Sequence, residues 1–111
     1  MKQKILFTLV LALLTTVLAS AYDFEEGGIY YKRLSDTTVE VTYMKANYAS
    51  PYAGSIVIPS TVTHDQVDYT VTRIGSSSFM QSFDLTSVVL PNTITAIDDA
   101  AFWDCASLKN V

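Results

Sequence analysis

Thr72-Arg73-Ile74-Gly75-Ser76-Ser77-Ser78-Phe79 and Thr95-Ala96-Ile97-Asp98-Asp99-Ala100-Ala101-Phe102 are two versions of one stretch. The match continues beyond them. Thr72, Ile74, Phe79, Leu85 and Val88 recur as Thr95, Ile97, Phe102, Leu108 and Val111, each pair 23 positions apart. Four of the five matched positions are large and apolar. A fixed period of about 20–50 residues is the mark of stacked repeats, in which each unit buries its apolar face on the next.

Working outward, the stretch before the repeats carries a partial copy. Ile56-Val57-Ile58-Pro59-Ser60-Thr61-Val62-Thr63 matches Val88-Val89-Leu90-Pro91-Asn92-Thr93-Ile94-Thr95 at an offset of 32. That is one unit plus a nine-residue insertion around His64 to Asp68. The period falls within the roughly 20–29 residues of a leucine-rich solenoid unit. The expected fold is mainly β with short helical turns. A β-rich cap at 22–54 leads into about two 23-residue units: a partial unit 55–71, a full unit 72–94 and a truncated unit 95–111. The expected repeat core is Ile74, Phe79, Leu85, Val88, Leu90, Ile94, Ile97, Phe102, Leu108 and Val111. Phe79 and Phe102 are expected to stack. The segment from Asp98 to Trp103 has some helical propensity, with its acidic pair suited to a helix N-terminus.

The cap contains two plain strand signals. Ile29-Tyr30-Tyr31-Lys32 is aromatic and β-branched. From Thr38 to Tyr43, Val39, Val41 and Tyr43 alternate with Thr38, Glu40 and Thr42, the period of a half-buried strand. The short connection between them predicts a hairpin. Val67, Tyr69 and Val71 alternate in the same way.

The chain has 111 residues, room for one domain. Lys2 and Lys4 precede a 14-residue, nearly unbroken apolar run from Ile5 to Leu18. Ala19-Ser20-Ala21 follows. This is the pattern of a secretory signal peptide cleaved after Ala21. The run is short of the roughly 20 residues that span a bilayer. Loss of Lys2 and Lys4 leaves five basic against eleven acidic residues, a net charge of −6. Such a chain does not suit nucleic acid, which wants a positive face. One cysteine excludes an internal disulfide, and one Cys with one His excludes a structural zinc site.

No catalytic, cofactor-binding or metal site emerges. His64 beside Asp65 reads as a loop histidine, because no nucleophile can be placed next to it. Cys105 reads as a small core-facing residue. Asp98, Asp99 and Asp104 lack the glycine-punctuated spacing of a calcium loop. Aromatic rings are enriched at interaction surfaces, which makes Tyr48, Tyr52 and Trp103 the candidate partner contacts.

Ile74-Gly75, Ala101-Phe102 followed by Cys105, Leu108 and Val111, and the strand ending in Leu90-Pro91 resemble the unit of BspA-type leucine-rich repeat proteins. Tyr69 to Gly75 resembles the approach to such a unit. The resemblance covers Ile56 to Val111. Ser78 stands in place of Ala101, Ser82 and Phe83 in place of Cys105 and Ala106, and Asp98 in place of Gly75. The resemblance implies an exported, non-enzymatic protein at the bacterial cell surface. Its expected partner is a host extracellular or bacterial surface protein. Proteins of this kind usually carry many more repeats, so a chain ending at Val111 is expected to be an N-terminal piece. On the rival reading it is a cap fragment with no autonomous function, prone to self-association through its uncapped end.

Overall fold

The computed structural model describes residues 22–44 and 52–111. The expected signal segment 1–21 and Tyr48 lie outside these residues. Eight strands follow in order: β1 (Phe24–Glu26), β2 (Ile29–Arg33), β3 (Thr38–Thr42), β4 (Gly54–Val57), β5 (Thr61–His64), β6 (Val67–Ile74), β7 (Leu85–Val89) and β8 (Ala96–Ile97).

The first three strands form an antiparallel meander. The alternation holds from Thr38 to Val41, where Val39 and Val41 are fully buried; it fails at the strand's end, where Thr42, expected on the outer face, is buried and Tyr43, expected inward, is half-buried beyond the strand. β1 did not stand out in the sequence. Its Phe24 nevertheless faces the core, and Gly27 and Gly28, both with positive φ, turn it onto β2. The sheet order is β1-β2-β3-β6-β5, with β8 also on β6.

The sequence offsets reappear as strand ladders. β4 and β7 are parallel, with Ile56 opposite Val88 and Val57 opposite Val89, an offset of 32. β6 and β8 are parallel, with Arg73 opposite Ala96 and Ile74 opposite Ile97, an offset of 23. Ser87 bridges Asn110 at the same offset. The nine extra residues form most of a hairpin. β5 pairs antiparallel with β6 around Asp65-Gln66, whose φ values of 49° and 67° match the double left-handed turn that suits a two-residue hairpin.

One core cluster joins the meander to the repeats. Ile74, Phe79, Leu85 and Val88 are buried in it. Leu85 and Val88 are three apart, not two, because the β4–β7 register shifts between Gly54 and Ser55. Leu90, Ile94, Phe102 and Leu108 pack against the cluster half-buried. Ile97 and Val111, expected in the core, are exposed. Ile74 lies between Val41 and Ile97 across two ladders, whereas among the described residues β8 is paired only to β6.

Aromatic rings run through the joint. Successive centroids lie 4.8 Å apart for Tyr22 and Tyr30, 6.0 Å for Tyr30 and Tyr52, 4.5 Å for Tyr52 and Phe79, and 5.1 Å for Phe79 and Phe102. The last two rings are parallel to within 4°. These separations fall in the range where ring pairs gain energy beyond burial.

The helical turns expected in the repeats do not form. No helix occurs among the described residues; both segments are chains of tight turns. Left-handed residues interrupt any right-handed run, and they recur with the repeat. Ser77 (φ 61°) corresponds to Ala100 (φ 58°), and Gln81 (φ 58°) to Asp104 (φ 57°). A non-glycine residue there costs roughly 1–2 kcal/mol, while glycine adds chain entropy to the unfolded state. Ala100→Gly is therefore expected to stabilise by about 0.5 kcal/mol, read as a higher urea midpoint. An unchanged or lower midpoint would contradict the strain at this position.

Tyr31 is fully buried, and its hydroxyl has no hydrogen-bond partner among the described residues. Burial, helped by Glu26, pushes its pKa up to about 12. The folded state thus holds the proton after the unfolded chain has lost it. Stability is expected to fall as pH rises from about 10 toward 12. Tyr31→Phe removes both the orphan hydroxyl and the titration. It is expected to stabilise by roughly 1 kcal/mol and to lessen the alkaline loss, as seen in chemical denaturation at several pH values.

Candidate interaction surface

The parallel β4–β7 pair exposes one row of side chains. Ile56 and Val88 turn toward the core, so their neighbours turn out. Val57 and Val89 sit opposite each other, 64% and 53% exposed. Beside them, Ser55 and Ser87 join by a 2.7 Å hydroxyl–hydroxyl bond. Lys109 and Asn110 extend the row: the Lys109 N–H donates to the Thr86 carbonyl (2.9 Å) and the Val88 N–H to the Asn110 carbonyl (3.0 Å).

No acidic residue occurs in 54–57, 85–89 or 108–110, although the chain carries eleven. The row is thus an apolar and hydroxyl strip on an otherwise acidic protein. Exposed valine by itself has a plain explanation, since β-branched residues suit strands. Two in register on one face make a contiguous patch. The sequence held a signal for this pair, because Val57 and Val89 correspond at the offset of 32.

The candidate contacts separate. Trp103 is 56% exposed, on the turn that follows Phe102. Tyr52 is corrected: it is 3% exposed and belongs to the core. Its hydroxyl donates to the Thr42 carbonyl (2.9 Å) and accepts from the Tyr30 N–H (3.0 Å), tying it to β2 and β3. Burial raises its pKa strongly. A tyrosine beside a Pro-Gly loop looks exposed in sequence, because the ring stack that encloses it comes from residues far along the chain.

His64 is not a free loop residue. It ends β5, with Nδ1 2.7 Å from Glu26 Oε2 and its ring stacked 4.2 Å from Phe24. Cys105 is half-buried, and its thiol donates to the Phe79 carbonyl at 2.9 Å. Burial pushes that thiol's pKa up, the opposite of what a nucleophile needs. Among the described residues, no three His, Cys, Asp or Glu side chains are arranged to hold a metal ion.

Comparison with known proteins gives this geometry its relatives. The family model described as the BspA type leucine rich repeat region (6 copies) matches residues 46–111. A leucine-rich repeat protein from Bacteroides ovatus ATCC 8483 is 30% identical, with a TM-score of 0.70, over 80% of this chain and 23% of its own. A leucine-rich cell surface protein from Faecalibacterium prausnitzii A2-165 is 33% identical, with a TM-score of 0.63, over 82% and 22%. A leucine-rich repeat protein from Bacteroides capillosus ATCC 29799 is 26% identical, with a TM-score of 0.64, over 78% and 62%. This chain therefore spans less than a quarter of the first two. No curated protein sequence matches significantly. More than half of the chain fits the family model, and its strands stack at the 23-residue spacing of its own sequence repeat: the chain belongs to the BspA-type leucine-rich repeat family.

Proposed function

We propose that this protein is an exported, non-enzymatic module that binds a protein partner at the bacterial cell surface. Residues 22–54 cap a solenoid that begins at 55, and the partner is a host extracellular or bacterial surface protein. The observation that carries this reading is the acid-free strip of Val57, Val89, Ser55 and Ser87. Stacked strands offer such rows to large partners, and each added repeat lengthens the row. The description of the Faecalibacterium relative as a cell surface protein supports the location.

The test is adhesion of the secreted protein, immobilised, to panels of host extracellular proteins and of intact bacteria. Val57→Asp with Val89→Asp places two carboxylates on the strip while leaving the core untouched. Binding that falls at least about tenfold, which is about 1.4 kcal/mol, supports the reading. Binding unchanged in the double variant removes the strip from it.

A second reading is favoured by the coverage of the larger relatives. If adhesion belongs to the kind of additional length that the B. ovatus and F. prausnitzii proteins have beyond the matched part, this chain alone binds nothing in either panel.

A further inference from the structure

We propose that the outer edge of β4 is a self-recognition site, where a second copy of this chain adds its own β4 in antiparallel pairing. This goes beyond the strip described above, because the strip offers side chains and the edge offers backbone. Gly54 and Ile58 donate their N–H groups toward β7, to the Asp84 and Val89 carbonyls (2.8 and 2.9 Å). Backbone groups alternate sides along a strand, so Ser55 and Val57 point theirs away from β7. Among the described residues no strand pairs with that side. Ile56 reflects the same opening. It lies opposite Val88, which is buried, yet is itself only half-buried. Strand edges are ordinarily blunted by charge, proline or cover. In the larger sheet β1 carries Glu25 and Glu26, and its Phe24 ring stacks 4.2 Å from the His64 ring of β5. β4 holds neither charge nor proline.

Charge selects the occupant. The chain carries a net charge of −4, so two copies repel. Residues 54–57 and 85–89 hold no acid, so two acidic copies approach each other here at least cost. A basic partner would gain more on the acid-bearing faces. The pairing also closes by symmetry. With a two-fold axis beside Ile56, Ser55 faces Val57 of the second copy, and the reverse. Such facing pairs exchange both backbone hydrogen bonds, so the outward N–H and C=O groups of Ser55 and Val57 are all satisfied. The two Ile56 side chains meet across the axis on the core side and cover what each chain leaves open. The contact is isologous and stops at a dimer. A 4-residue edge buries less than the roughly 1,200 Å² of a stable interface, so the dimer is weak in solution. Many copies on two facing surfaces add up; that use rests on the surface location proposed above.

Sedimentation equilibrium of the secreted protein, up to about 1 mM, is expected to show monomer and dimer and nothing larger. Raising salt from about 0.01 to about 0.1 M shortens the Debye length from ~30 to ~10 Å and is expected to tighten the dimer at least about threefold. Val57→Pro removes an outward N–H and spares the β4–β7 bonds, while Ser55→Glu sets a carboxylate at the seam. Each is expected to weaken the dimer at least about tenfold. Phe83→Ser, at an exposed apolar residue off this edge, is expected to leave it unchanged. Amide exchange protection at Ser55 and Val57 is expected to rise with protein concentration. A monomer at every concentration overturns the proposal, as does a dimer that salt weakens, that neither edge variant weakens, or that Phe83→Ser weakens as much. So does an open series of larger species, the mark of head-to-tail pairing. No host protein or bacterium enters this measurement. Its failure therefore leaves panel binding standing, and loss of panel binding leaves the dimer standing.

Discussion

Phe79→Ala is expected to lower the unfolding free energy by about 4 kcal/mol, near the upper range for loss of a buried aromatic ring. The ring is fully buried, between Tyr52 at 4.5 Å and Phe102 at 5.1 Å. Its backbone is engaged as well. The N–H donates to the Ala101 carbonyl (2.8 Å), and the carbonyl accepts the Cys105 thiol. Tyr52 is fastened by its hydroxyl to β2 and β3, so the Phe79 ring is a side-chain link between that sheet and the 23-residue units, added to the β3–β6 ladder. A cavity at this point loosens both sides together. Domains of this size have only about 5–15 kcal/mol in total, so the variant sits close to unfolding at ambient temperature. Phe102→Ala, half-buried at the end of the stack, should cost about half as much. Urea denaturation of both variants decides the matter. Equal losses at the two positions would mean that the link lies elsewhere.

The repeat register was legible because it is written in large side chains at fixed spacing. Ile74, Phe79, Leu85 and Val88 needed no partner information to be placed inside. What stayed hidden depends on residues distant in the chain. Tyr52 looked like a loop aromatic until Tyr30 and Phe79 enclosed it. His64 looked solvated because Glu26 is 38 residues away. Asp65-Gln66 carries no glycine or asparagine to announce a hairpin, yet it adopts the left-handed turn between two strands whose inward residues, Val62 and Tyr69, pair. Acidic capping favours a helix from Asp98 to Trp103, but the left-handed positions that prevent it have no residue signature here: Ser, Ala, Gln and Asp fill them. The outward pairing of Val57 and Val89 was present in the 32-residue match. The same match also carries the inward pair Ile56 and Val88, and sequence alone does not separate the two faces.

Gly75→Ala is expected to destabilise by about 3 kcal/mol, although the change adds one methyl group and the backbone φ is not left-handed. The cause is close approach. A Cβ at Gly75 would stand 2.5 Å from Glu40 Oε2 and 2.8 Å from the Val41 carbonyl oxygen. Glu40 could swing away, at a cost to its place in a charged cluster. Arg73 grips Asp98 through Nε (3.0 Å) and Nη2 (2.5 Å), with Glu40 at 4.0 Å on the other side. Arg73 holds the Asp98 carboxyl below its usual range, while burial and Asp98 push Glu40 up. The Val41 carbonyl cannot move so easily, because it accepts from the Gly75 N–H (2.8 Å) and the Ser78 hydroxyl (2.9 Å). The methyl group therefore forces β3 away from β6, the strand pair that joins the meander to the repeats. Overpacking of this kind costs roughly 1–3 kcal/mol, and a loosened parallel ladder puts this site at the top of that range. The same contact accounts for the difference between units. At Gly75 the nearby carboxylate comes from β3, whereas at position 98 the residue supplies its own, and both address Arg73. Adding Glu40→Ala to Gly75→Ala should recover part of the loss but not all, since the Val41 oxygen remains. Full recovery in the double variant would assign the whole effect to the Glu40 side chain and leave the backbone approach without a role.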